Sequence, residues 1–446
     1  MSSSHPSGTN RPNTITAHIE SITHEGHGVA HVDGKAVFIE GALPGETVLY
    51  RTLNRGKTFD LGRMIEIVEA SPDRVTPRCQ YFGVCGGCSL QHLRAEAQLP
   101  AKQKVLHDNL TRIGKVIPET WLPPLAGLHW GYRRKARLGA HVAQKKGGVI
   151  VGFREKRTAN LAPLASCEVL HPRVSALLPA LRNLIATLSV PNRIPQIEVA
   201  VGDNATAFVF RHLVPLTADD DARLANFGRE HDIQIFRQPE GPDQLVPVWP
   251  EKPAPLVYRL PEVNVELEFA PTDFIQVNAE LNQRMVARAL ELLDPQPGES
   301  VLDLFCVLGN FTLPLARRAG RVLGIEAEAT LIEKARHNAQ HNQIQNAEFR
   351  LANLYSAETP DPWGAERFDK WLLDPPRTGA AEVVKRLPAE GGPRRILYIS
   401  CNPGTLARDS EVLVHHKGYR LVAAGVMDMF PQTSHVEAMA LFERAD

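Results

Sequence analysis

The chain is long, electrically balanced and poor in cysteine. It has 446 residues, 43% of them hydrophobic, with 50 basic and 50 acidic side chains and a formal net charge of zero. This length predicts two to four domains, and zero net charge argues against nucleic-acid binding over the whole surface. No apolar stretch reaches the roughly 18 to 20 residues of a membrane span, and the polar segment 1–13 lacks a hydrophobic signal core. We therefore expect a cytoplasmic protein with no membrane partner and with six cysteines that stay reduced.

The region 14–71, which follows a flexible tail at 1–13, is predicted to be a small barrel. Turn residues separate short strands at 15–22, 28–32, 35–39, 47–53 and 63–68. Five short strands in this length are typical of an OB-type barrel. The segments 26–30 (Gly-His-Gly-Val-Ala) and 41–46 (Gly-Ala-Leu-Pro-Gly-Glu) resemble the TRAM domain, which implies an RNA-binding module. An unrelated small barrel with glycine turns is the alternative.

The region 72–271 is less regular. Its pattern predicts a strand-rich central domain with helices at 95–113, 174–188 and 218–230. Between Trp130 and Asn160 basic side chains stand against one acid, Glu155. They can follow an RNA backbone or cover a solvated hairpin, and the sequence leaves both interpretations open. The basic residues are Arg133, Arg134, Lys135, Arg137, Lys145, Lys146, Arg154, Lys156 and Arg157.

The region 272–446 alternates apolar strands with amphipathic helices. This order predicts a doubly wound, Rossmann-like α/β domain. The predicted strands cover 300–305, 321–325, 348–351, 370–373, 395–400, 420–427 and 436–442. The last two strands are joined by a short connection and are typical of the antiparallel edge hairpin that closes the sheet of class I methyltransferases.

The end of the first of these strands carries the features of a cofactor site. The strand 300–305 runs into a turn with one glycine, Gly309, before a helix opens at Phe311. Ligands of open α/β sheets bind at the carboxyl ends of the strands, where Glu326 is placed to accept both hydroxyls of a ribose. One glycine makes a poor cradle for the pyrophosphate of a dinucleotide. Because S-adenosyl-L-methionine carries no phosphate, the pattern favours it over a nicotinamide cofactor.

The segment 303–311, Asp-Leu-Phe-Cys-Val-Leu-Gly-Asn-Phe, resembles the first motif of the RNA uracil-5 methyltransferase family. One residue departs from the family pattern, because Val307 stands where the family has a glycine that lets the backbone pass close to the cofactor. If φ is positive there, a branched residue strains the loop by about 1 to 3 kcal/mol. The resemblance implies cofactor contacts at Gln276, Phe305, Asn310, Asn353 and Asp374.

Two later strand ends carry the candidate chemistry. Arg377 in Asp-Pro-Pro-Arg stands where amino-methyltransferases have a base-stacking aromatic ring, which weakens that interpretation. Cys401 ends the strand 395–400, and the segment 401–409 again resembles the uracil-5 family. A thiolate that attacks carbon 6 of uracil activates carbon 5, and an ordinary thiol with pKa near 8.5 is already a few per cent ionised at neutral pH. Glu437 is the best candidate for the base that removes the carbon 5 proton. Cys306 is interpreted as structural.

Four cysteines remain, at Cys79, Cys85, Cys88 and Cys167. Four thiolates suit either tetrahedral zinc or an iron-sulfur cluster, and spacing alone does not choose between them. Three clustered cysteines with one distant cysteine resemble the 4Fe-4S site of the same methyltransferase family. The resemblance therefore implies a cluster that is structural or positions RNA.

The resemblance covers nearly the whole chain. The combination of TRAM domain, cysteine cluster and catalytic domain implies the branch of the family that modifies 23S ribosomal RNA, acting as a monomer. Two alternatives stay open at this point. The substrate is a uracil elsewhere in ribosomal RNA or in transfer RNA, or Val307 marks an RNA-binding protein with weakened or lost catalysis.

Overall fold

The computed structural model describes residues 14–143, 148–239, 244–356, 362–388 and 391–445. The predicted tail at 1–13 and the predicted basic residues Lys145 and Lys146 lie outside these ranges. Within them, no helix has the length and apolar character that would let it cross a membrane.

The N-terminal region forms a six-stranded sheet in the order β1-β5-β6-β4-β3-β2. Its strands are β1 (Ile15–His18), β2 (Ser21–Ile22), β3 (Gly28–Val32), β4 (Lys35–Glu40), β5 (Thr47–Arg55) and β6 (Phe59–Glu69). The first predicted strand is divided in two because the chain changes partners. Ile19 N–H donates to the Glu46 carbonyl, whereas Glu20 N–H donates to the Val29 carbonyl on the other side. Since the two outer strands are consecutive in the chain, the sheet closes on itself around a small core.

A connecting region leads from this barrel to the C-terminal sheet. Helix α1 covers Ala95–Asn109 and continues as one π-helical turn, Leu110–Gly114, which ends at Lys115 in the left-handed region. The predicted helix at 95–113 is therefore confirmed in extent but changes its hydrogen-bonding pattern before its end. Strand β7, Thr120–Trp121, follows and pairs with a strand of the C-terminal sheet.

The central sheet has the order β13-β12-β11-β10-β8-β9. Its strands are β8 (Lys135–Ala143), β9 (Gly148–Gly152), β10 (Gln196–Val201), β11 (Thr206–Arg211), β12 (Gln234–Gln238) and β13 (Val246–Trp249). The two predicted helices are present as α2, Pro172–Thr187, and α3, Ala218–His231. Thr217 and Asp220 begin α3 with reciprocal side-chain caps, which satisfy backbone donors that the first helical turn leaves free. A separate hairpin of β14 (Leu256–Leu260) and β15 (Val265–Phe269) joins this region to the C-terminal domain.

The C-terminal sheet has eight strands in the order β18-β17-β16-β19-β20-β22-β21-β7. Its other strands are β16 (Ser300–Leu304), β17 (Arg321–Glu326), β18 (Ala347–Leu351), β19 (Lys370–Leu373), β20 (Arg395–Ser400), β21 (Tyr419–Met427) and β22 (Glu437–Arg444). The helices are α4 (Ala279–Leu293), α5 (Thr312–Ala316), α6 (Ala329–His341), α7 (Ala381–Arg386) and α8 (Pro403–His416). The predicted antiparallel hairpin is present as β21 and β22. Its predicted position at the edge is wrong, because β7 adds to β21 as a further parallel strand.

Helices cover both faces of this sheet, which explains why its strands are almost continuously apolar. Val301 and Leu372 point to the face that α4 to α6 cover, whereas Leu302 and Leu373 point to the opposite face. Helix α1 packs on that opposite face with α7 and α8, through Leu106 among others. The connecting region 95–121 therefore packs on the C-terminal sheet, although it is distant from that sheet in the sequence.

Candidate active site

The candidate catalytic and cofactor residues follow the carboxyl ends of four parallel strands. Strands β16, β17, β19 and β20 run in the same direction, so the loops that follow them share one edge of the sheet. The antiparallel strand β22 begins at this edge with Glu437. The structure therefore brings together Asp303, Phe305, Glu326, Asp374, Cys401 and Glu437.

Cys401 is held at the junction between β20 and α8. Asn402 caps the helix, since its side-chain oxygen accepts from Gly404 N–H at 3.0 Å, and Pro403 occupies the first helical position. Burial raises the pKa of the Cys401 thiol to about 12, and the carboxylates of Glu437 and Asp374 add to the rise. The expectation of an ordinary, partly ionised thiol is therefore wrong for the free protein. The thiol is therefore neutral at pH 7.

Glu437 faces the same site from β22. Burial and the neighbouring Asp374 raise the pKa of Glu437 to about 8, whereas Lys102 and Arg377 oppose the rise. A carboxyl group with a pKa close to the operating pH can exchange protons in either direction. The position and the pKa of Glu437 both suit a general base.

Three further carboxyl groups surround the turn after β16. Burial raises the pKa of Asp303 to about 8 and that of Asp374 to about 7. Asp303 accepts a hydrogen bond from Thr312 Oγ1 at 2.5 Å, and its other oxygen is buried without a partner in the structure. Glu326 accepts from the backbone N–H groups of Val307, at 3.2 Å, and Ala327, at 2.6 Å. This edge of the sheet thus concentrates carboxyl groups, and a ligand that carries positive charge would favour their ionised forms.

The turn after β16 adopts an unusual backbone conformation. Phe305 and Val307 have φ values of 69° and 48°, in the left-handed region that favours glycine. The condition stated above for strain at Val307 is therefore met. The loop keeps this conformation because Phe305 and Cys306 N–H groups both donate to the Ile325 carbonyl and the Val307 N–H donates to Glu326. Cys306 itself is buried.

Three residues that the resemblance assigns to the cofactor do not belong to this cluster of carboxyl groups. Asn310 accepts from Tyr258 Oη at 3.1 Å and exchanges two hydrogen bonds with Asn282, so its side chain is occupied within the protein. Asn353 is exposed and accepts from the N–H of Tyr355 in a turn after β18. Gln276 is half-buried in the loop before α4, and its side chain makes no hydrogen bond within the described residues. Their contacts with a cofactor stay predictions.

Two residues of the site were missed from the sequence. The ring of Tyr355 lies 5.6 Å from that of Phe305, and its hydroxyl is 3.3 Å from Thr378 Oγ1. Lys102, from α1, is buried and acts electrostatically on Glu437. Tyr355 lies two residues after Asn353 and an aromatic residue there was a usable signal. Nothing local marks Lys102, because only the packing of α1 brings it to the site.

The four remaining cysteines line one small cavity. Phe82, Phe153 and Leu164 make its wall largely apolar, and Gly87 N–H donates to Cys85 Sγ at 3.4 Å. Within the described residues, no three His, Cys, Asp or Glu side chains converge closely enough to hold a single metal ion. The cysteines of the cavity are Cys79, Cys85, Cys88 and Cys167.

The cysteine cavity is tied to the loop before Glu437. Ser89, the residue after Cys88, donates through its N–H to the Gln432 carbonyl at 3.0 Å. Its hydroxyl accepts from Ser434 N–H at 2.8 Å. Ser89, beside the cavity, therefore holds the loop before Glu437 through hydrogen bonds to the backbone of Gln432 and Ser434. This loop forms one wall of the candidate active site.

A cleft of about 2300 Å³ runs from the barrel past the cysteine segment to His435, beside the active site. Of the predicted basic residues, Arg134 and Lys135 prove structural, since Arg134 pairs with Asp203 and Lys135 is largely buried against Glu198. The rest that the structure describes face the cleft, joined by Arg63 of the barrel. The basic residues of the cleft are Arg63, Arg133, Arg137, Arg154, Lys156 and Arg157.

The fold and the site together define a class I methyltransferase domain attached to a small barrel. A family model described as tRNA (Uracil-5-)-methyltransferase matches residues 258–361 and 363–445, and a TRAM domain model matches residues 10–49. The chain is 52% identical over 427 residues to the 23S rRNA (uracil(1939)-C(5))-methyltransferase RlmD of Aromatoleum aromaticum, which covers 96% of this chain and 99% of that protein. It is 54% identical over 430 residues to the protein of the same name from Nitrosococcus oceani, with 96% of each chain covered.

The architecture is also similar to a solved structure. The Pyrococcus abyssi tRNA (uracil-54, C5)-methyltransferase in complex with S-adenosyl-L-homocysteine superimposes with a TM-score of 0.71 at 24% identity. The match covers 96% of this chain and 100% of that one. The chain belongs to the RNA uracil-5 methyltransferase family, and these relatives match it over 96% of its length.

Proposed function

We propose that the protein methylates carbon 5 of a uracil in 23S ribosomal RNA, at the position that its relatives' names give as 1939, with S-adenosyl-L-methionine as the methyl donor. The observation that carries the proposal is the placement of Cys401 and Glu437. The pKa values of the Cys401 thiol and the Glu437 carboxyl group are both raised, and the charge of Glu437 contributes to the rise at Cys401.

The reaction divides between these two residues. Cys401 loses its proton to solvent and its sulfur forms a bond to carbon 6 of uracil, which moves the electrons of the carbon 5–carbon 6 double bond towards carbon 5. Bound S-adenosyl-L-methionine supplies the methyl group to carbon 5 and leaves as S-adenosyl-L-homocysteine. Glu437 then removes the carbon 5 proton, the double bond re-forms, and the bond between sulfur and carbon 6 breaks. Cys401 leaves as a thiolate that regains a proton from solvent, Glu437 releases its proton to solvent, and the methylated RNA separates from the protein.

The residues at the strand ends suit this methyl donor. S-adenosyl-L-methionine carries positive charge on its sulfonium and amino groups, and the site offers the carboxyl groups of Asp303, Glu326 and Asp374. Among the residues that the structure describes, no lysine or arginine is paired with these carboxyl groups. We assign Glu326 to the ribose hydroxyls and Phe305 to the surroundings of the cofactor. Gln276, Asn310, Asn353 and Asp374 complete the proposed set by family correspondence.

A base must leave its stack to reach this edge, at a cost of a few kcal/mol, so the substrate is expected in a loop or another weakly paired site. The basic cleft that ends at His435 supports an approach of RNA from the barrel side. We propose the barrel, 14–71, and the central region, 72–271, as the RNA-holding parts and 272–446 as the catalytic domain of a monomer.

The catalytic proposal is tested by trapping the covalent intermediate on a denaturing gel with labelled RNA and cofactor. Glu437→Gln keeps the attacking thiol but lacks the base, so a retarded, protease-sensitive band is expected to accumulate. Cys401→Ala and the double variant are expected to give no band. Cys306→Ala, which alters a buried cysteine without a proposed role, is the control and should turn over like the wild type. An adduct that persists in Cys401→Ala would assign the nucleophile elsewhere.

We also propose that Cys79, Cys85, Cys88 and Cys167 hold a 4Fe-4S cluster. In such a cluster each cysteine binds a different iron, so the sulfur atoms surround a volume instead of meeting at one ion. One cavity is lined by all four cysteines, which supports a group that the four thiolates bind together. Since Ser89 joins this cavity to the loop before Glu437, the group would stabilise the wall of the active site.

Protein purified without oxygen is expected to be brown and to contain about four irons per chain. Cys88→Ser should lose the colour, whereas Cys401→Ala should keep it. A colourless, fully active preparation with stoichiometric zinc would contradict the cluster.

One observation favours a second candidate, an RNA-binding protein with weakened catalysis. Val307 has a positive φ in the cofactor turn, a conformation that a branched side chain strains. Binding of S-adenosyl-L-methionine by calorimetry, and mapping of the methylated position in RNA from cells with and without the gene, distinguish the candidates. Loss of the methyl group at another uracil would keep the chemistry and change the substrate.

A further inference from the structure

A buried ion pair lies at the edge of the sheet that carries Glu437. Lys102 Nζ is 2.6 Å from Asp428 Oδ1, and each side chain is only 1% exposed. Lys102 Nζ also donates to the Phe430 carbonyl at 3.0 Å. Asp428 directly follows Met427, whose partner across the β21–β22 hairpin is Glu437. The pair therefore fixes the open end of the hairpin, one residue beyond the position that faces Glu437.

Helix α1 holds the rest of the loop 428–436 as well. Gln98 donates to Gln432 Oε1 at 3.0 Å and accepts from the Gln432 N–H at 2.9 Å. From the central region, Tyr132 Oη donates to the Pro431 carbonyl at 2.9 Å. The loop that precedes Glu437 is thus bonded to segments more than 290 residues earlier in the chain.

Few positive charges act on Glu437, and they differ in solvent exposure. Arg377 is exposed and bonded to His435 at 2.9 Å, so solvent and salt screen its charge. Lys102 is buried and is screened much less. On the opposite side, Asp374 disfavours the ionised form of Glu437, and the Cys401 thiol faces both carboxyl groups.

Two nearby titratable side chains, His435 and Tyr132, add no charge near Glu437 at pH 7. Burial lowers the pKa of His435 to about 4, and Arg377, Lys102, Arg133 and His24 lower it further, so the ring is neutral at pH 7. Burial raises the pKa of Tyr132, which faces Asp428, and keeps its hydroxyl protonated.

We propose that Lys102 is a positioning residue for Glu437: it holds the loop before β22 and supplies a buried positive charge that favours the ionised form of the Glu437 carboxyl group, the form that removes the proton. This inference rests on the function proposed above. A desolvated carboxylate beside another carboxylate is protonated unless a cation opposes both effects. Lys102 acts through Glu437 and its loop, not on the reacting atoms.

The test must remove the charge of Lys102 without leaving Asp428 buried and alone, because an unpaired buried charge is strongly destabilising. The double variant Lys102→Gln/Asp428→Asn removes both charges and keeps groups that can hydrogen-bond to each other and to Phe430. Lys102→Met/Asp428→Leu removes both charges in an apolar form. Lys102→Arg keeps the positive charge.

A matched control lies in the same sheet. Lys370 is also 1% exposed and pairs with Glu299 at 2.7 Å, but it begins β19 at the amino end of the strands, opposite the active site. Lys370→Gln/Glu299→Gln therefore removes a comparable buried pair without changing the charges around Glu437.

The experiment measures the decay of the covalent RNA adduct in a single turnover between pH 6 and pH 9. We expect both double variants to form the adduct and to release it about tenfold more slowly at acidic and neutral pH, with the profile displaced by about one unit to alkaline pH. Lys102→Arg and the Lys370 control should follow the wild-type profile.

An unchanged release profile in a double variant that forms the adduct would overturn the proposal. So would slow release without a displacement in pH, because that result indicates a structural role alone. Failure of the proposed function has a different signature, since the wild type itself would then show no adduct and no Glu437-dependent release.

Discussion

At the scale of single residues, Val307 is the clearest case of local strain beside a proposed binding site. A β-branched residue with φ of 48° is held in the left-handed region by backbone hydrogen bonds to Glu326 and, through Phe305 and Cys306, to Ile325. Such a conformation costs about 1 to 3 kcal/mol and persists when the surrounding structure fixes it. The strain lies where the cofactor backbone contact is expected.

Replacing Val307 with glycine should relieve this strain. We expect Val307→Gly to fold normally and to bind S-adenosyl-L-methionine at least as tightly as the wild type, because glycine adopts positive φ freely and opens space beside the backbone. Calorimetric titration measures the affinity, and Val307→Ala, which keeps the unfavourable φ, is the control. Weaker binding by the glycine variant would show that the valine side chain is an adapted part of the site.

The reactivity of Cys401 follows from its charged neighbours. Because burial, Glu437 and Asp374 raise the pKa of its thiol to about 12, alkylation by iodoacetamide at pH 7 is expected to be slow and to accelerate with pH. Above about pH 8, where Glu437 is ionised, Glu437→Gln removes one negative charge, lowers the thiol pKa and should increase the alkylation rate several-fold. Mass spectrometry of the labelled peptide measures the rate, with the wild type at each pH as reference. A slower reaction in Glu437→Gln would contradict the electrostatic argument.

At the scale of elements, the short strand β7 makes the connecting region part of the catalytic sheet. Its pairing with β21 covers an edge that would otherwise expose unpaired backbone groups. Close packing continues beyond the strand, because a Cβ atom at Gly425 would lie 2.7 Å from Leu122 Cβ and 2.9 Å from the Leu122 carbonyl oxygen. Gly425 is therefore required by the approach of another backbone.

We expect Gly425→Ala to lower the free energy of unfolding by about 1 to 3 kcal/mol, since the segment after β7 must move away. Gly298→Ala is the matched control, because a Cβ atom there meets nothing within 4 Å and φ is not positive. The control should be neutral or slightly stabilising. Denaturant titration compares the two variants, and equal stability would mean that β7 is not packed as described.

At the scale of the whole molecule, the active-site carboxyl groups make stability depend on pH. The pKa values of Asp303 and Glu437 are raised to about 8, and that of Asp374 to about 7. A carboxyl group whose pKa is higher in the folded state stabilises the fold below its unfolded pKa. This contribution is lost as pH rises through the folded pKa. The free protein should therefore lose stability between about pH 4 and pH 8.

Asp303→Asn removes one of these groups and keeps an acceptor for Thr312. We expect its Tm to match the wild type near pH 4 and to exceed it at pH 8, by an amount equivalent to a few kcal/mol. Asp294→Asn, an exposed residue after α4, is the control and should show no such divergence. Thermal melts across this pH range measure the difference, and parallel curves for Asp303→Asn and the wild type would refute the argument.

The sequence by itself determined the order of the elements and the edge at which the chemistry lies. Alternating strands and helices are a local pattern, and parallel strands place their carboxyl ends together, so Glu326, Asp374 and Cys401 were assigned to one edge from the chain alone. The two helices of the central region, α2 and α3, were predicted within two residues of their observed bounds. These features follow from interactions between neighbours in sequence.

Only the tertiary structure determined the protonation of the site and the residues that hold it in place. The neutral thiol of Cys401 depends on burial and on carboxylates from other strands, and the side chain of Asn310 is occupied by Tyr258 and Asn282. Lys102 reaches Asp428 across 326 residues of sequence. A pKa depends on desolvation and on charges that packing brings close, and no periodicity along the chain reports either. The sequence therefore predicted which groups are candidates for the chemistry, and packing determined their protonation and the residues that hold them.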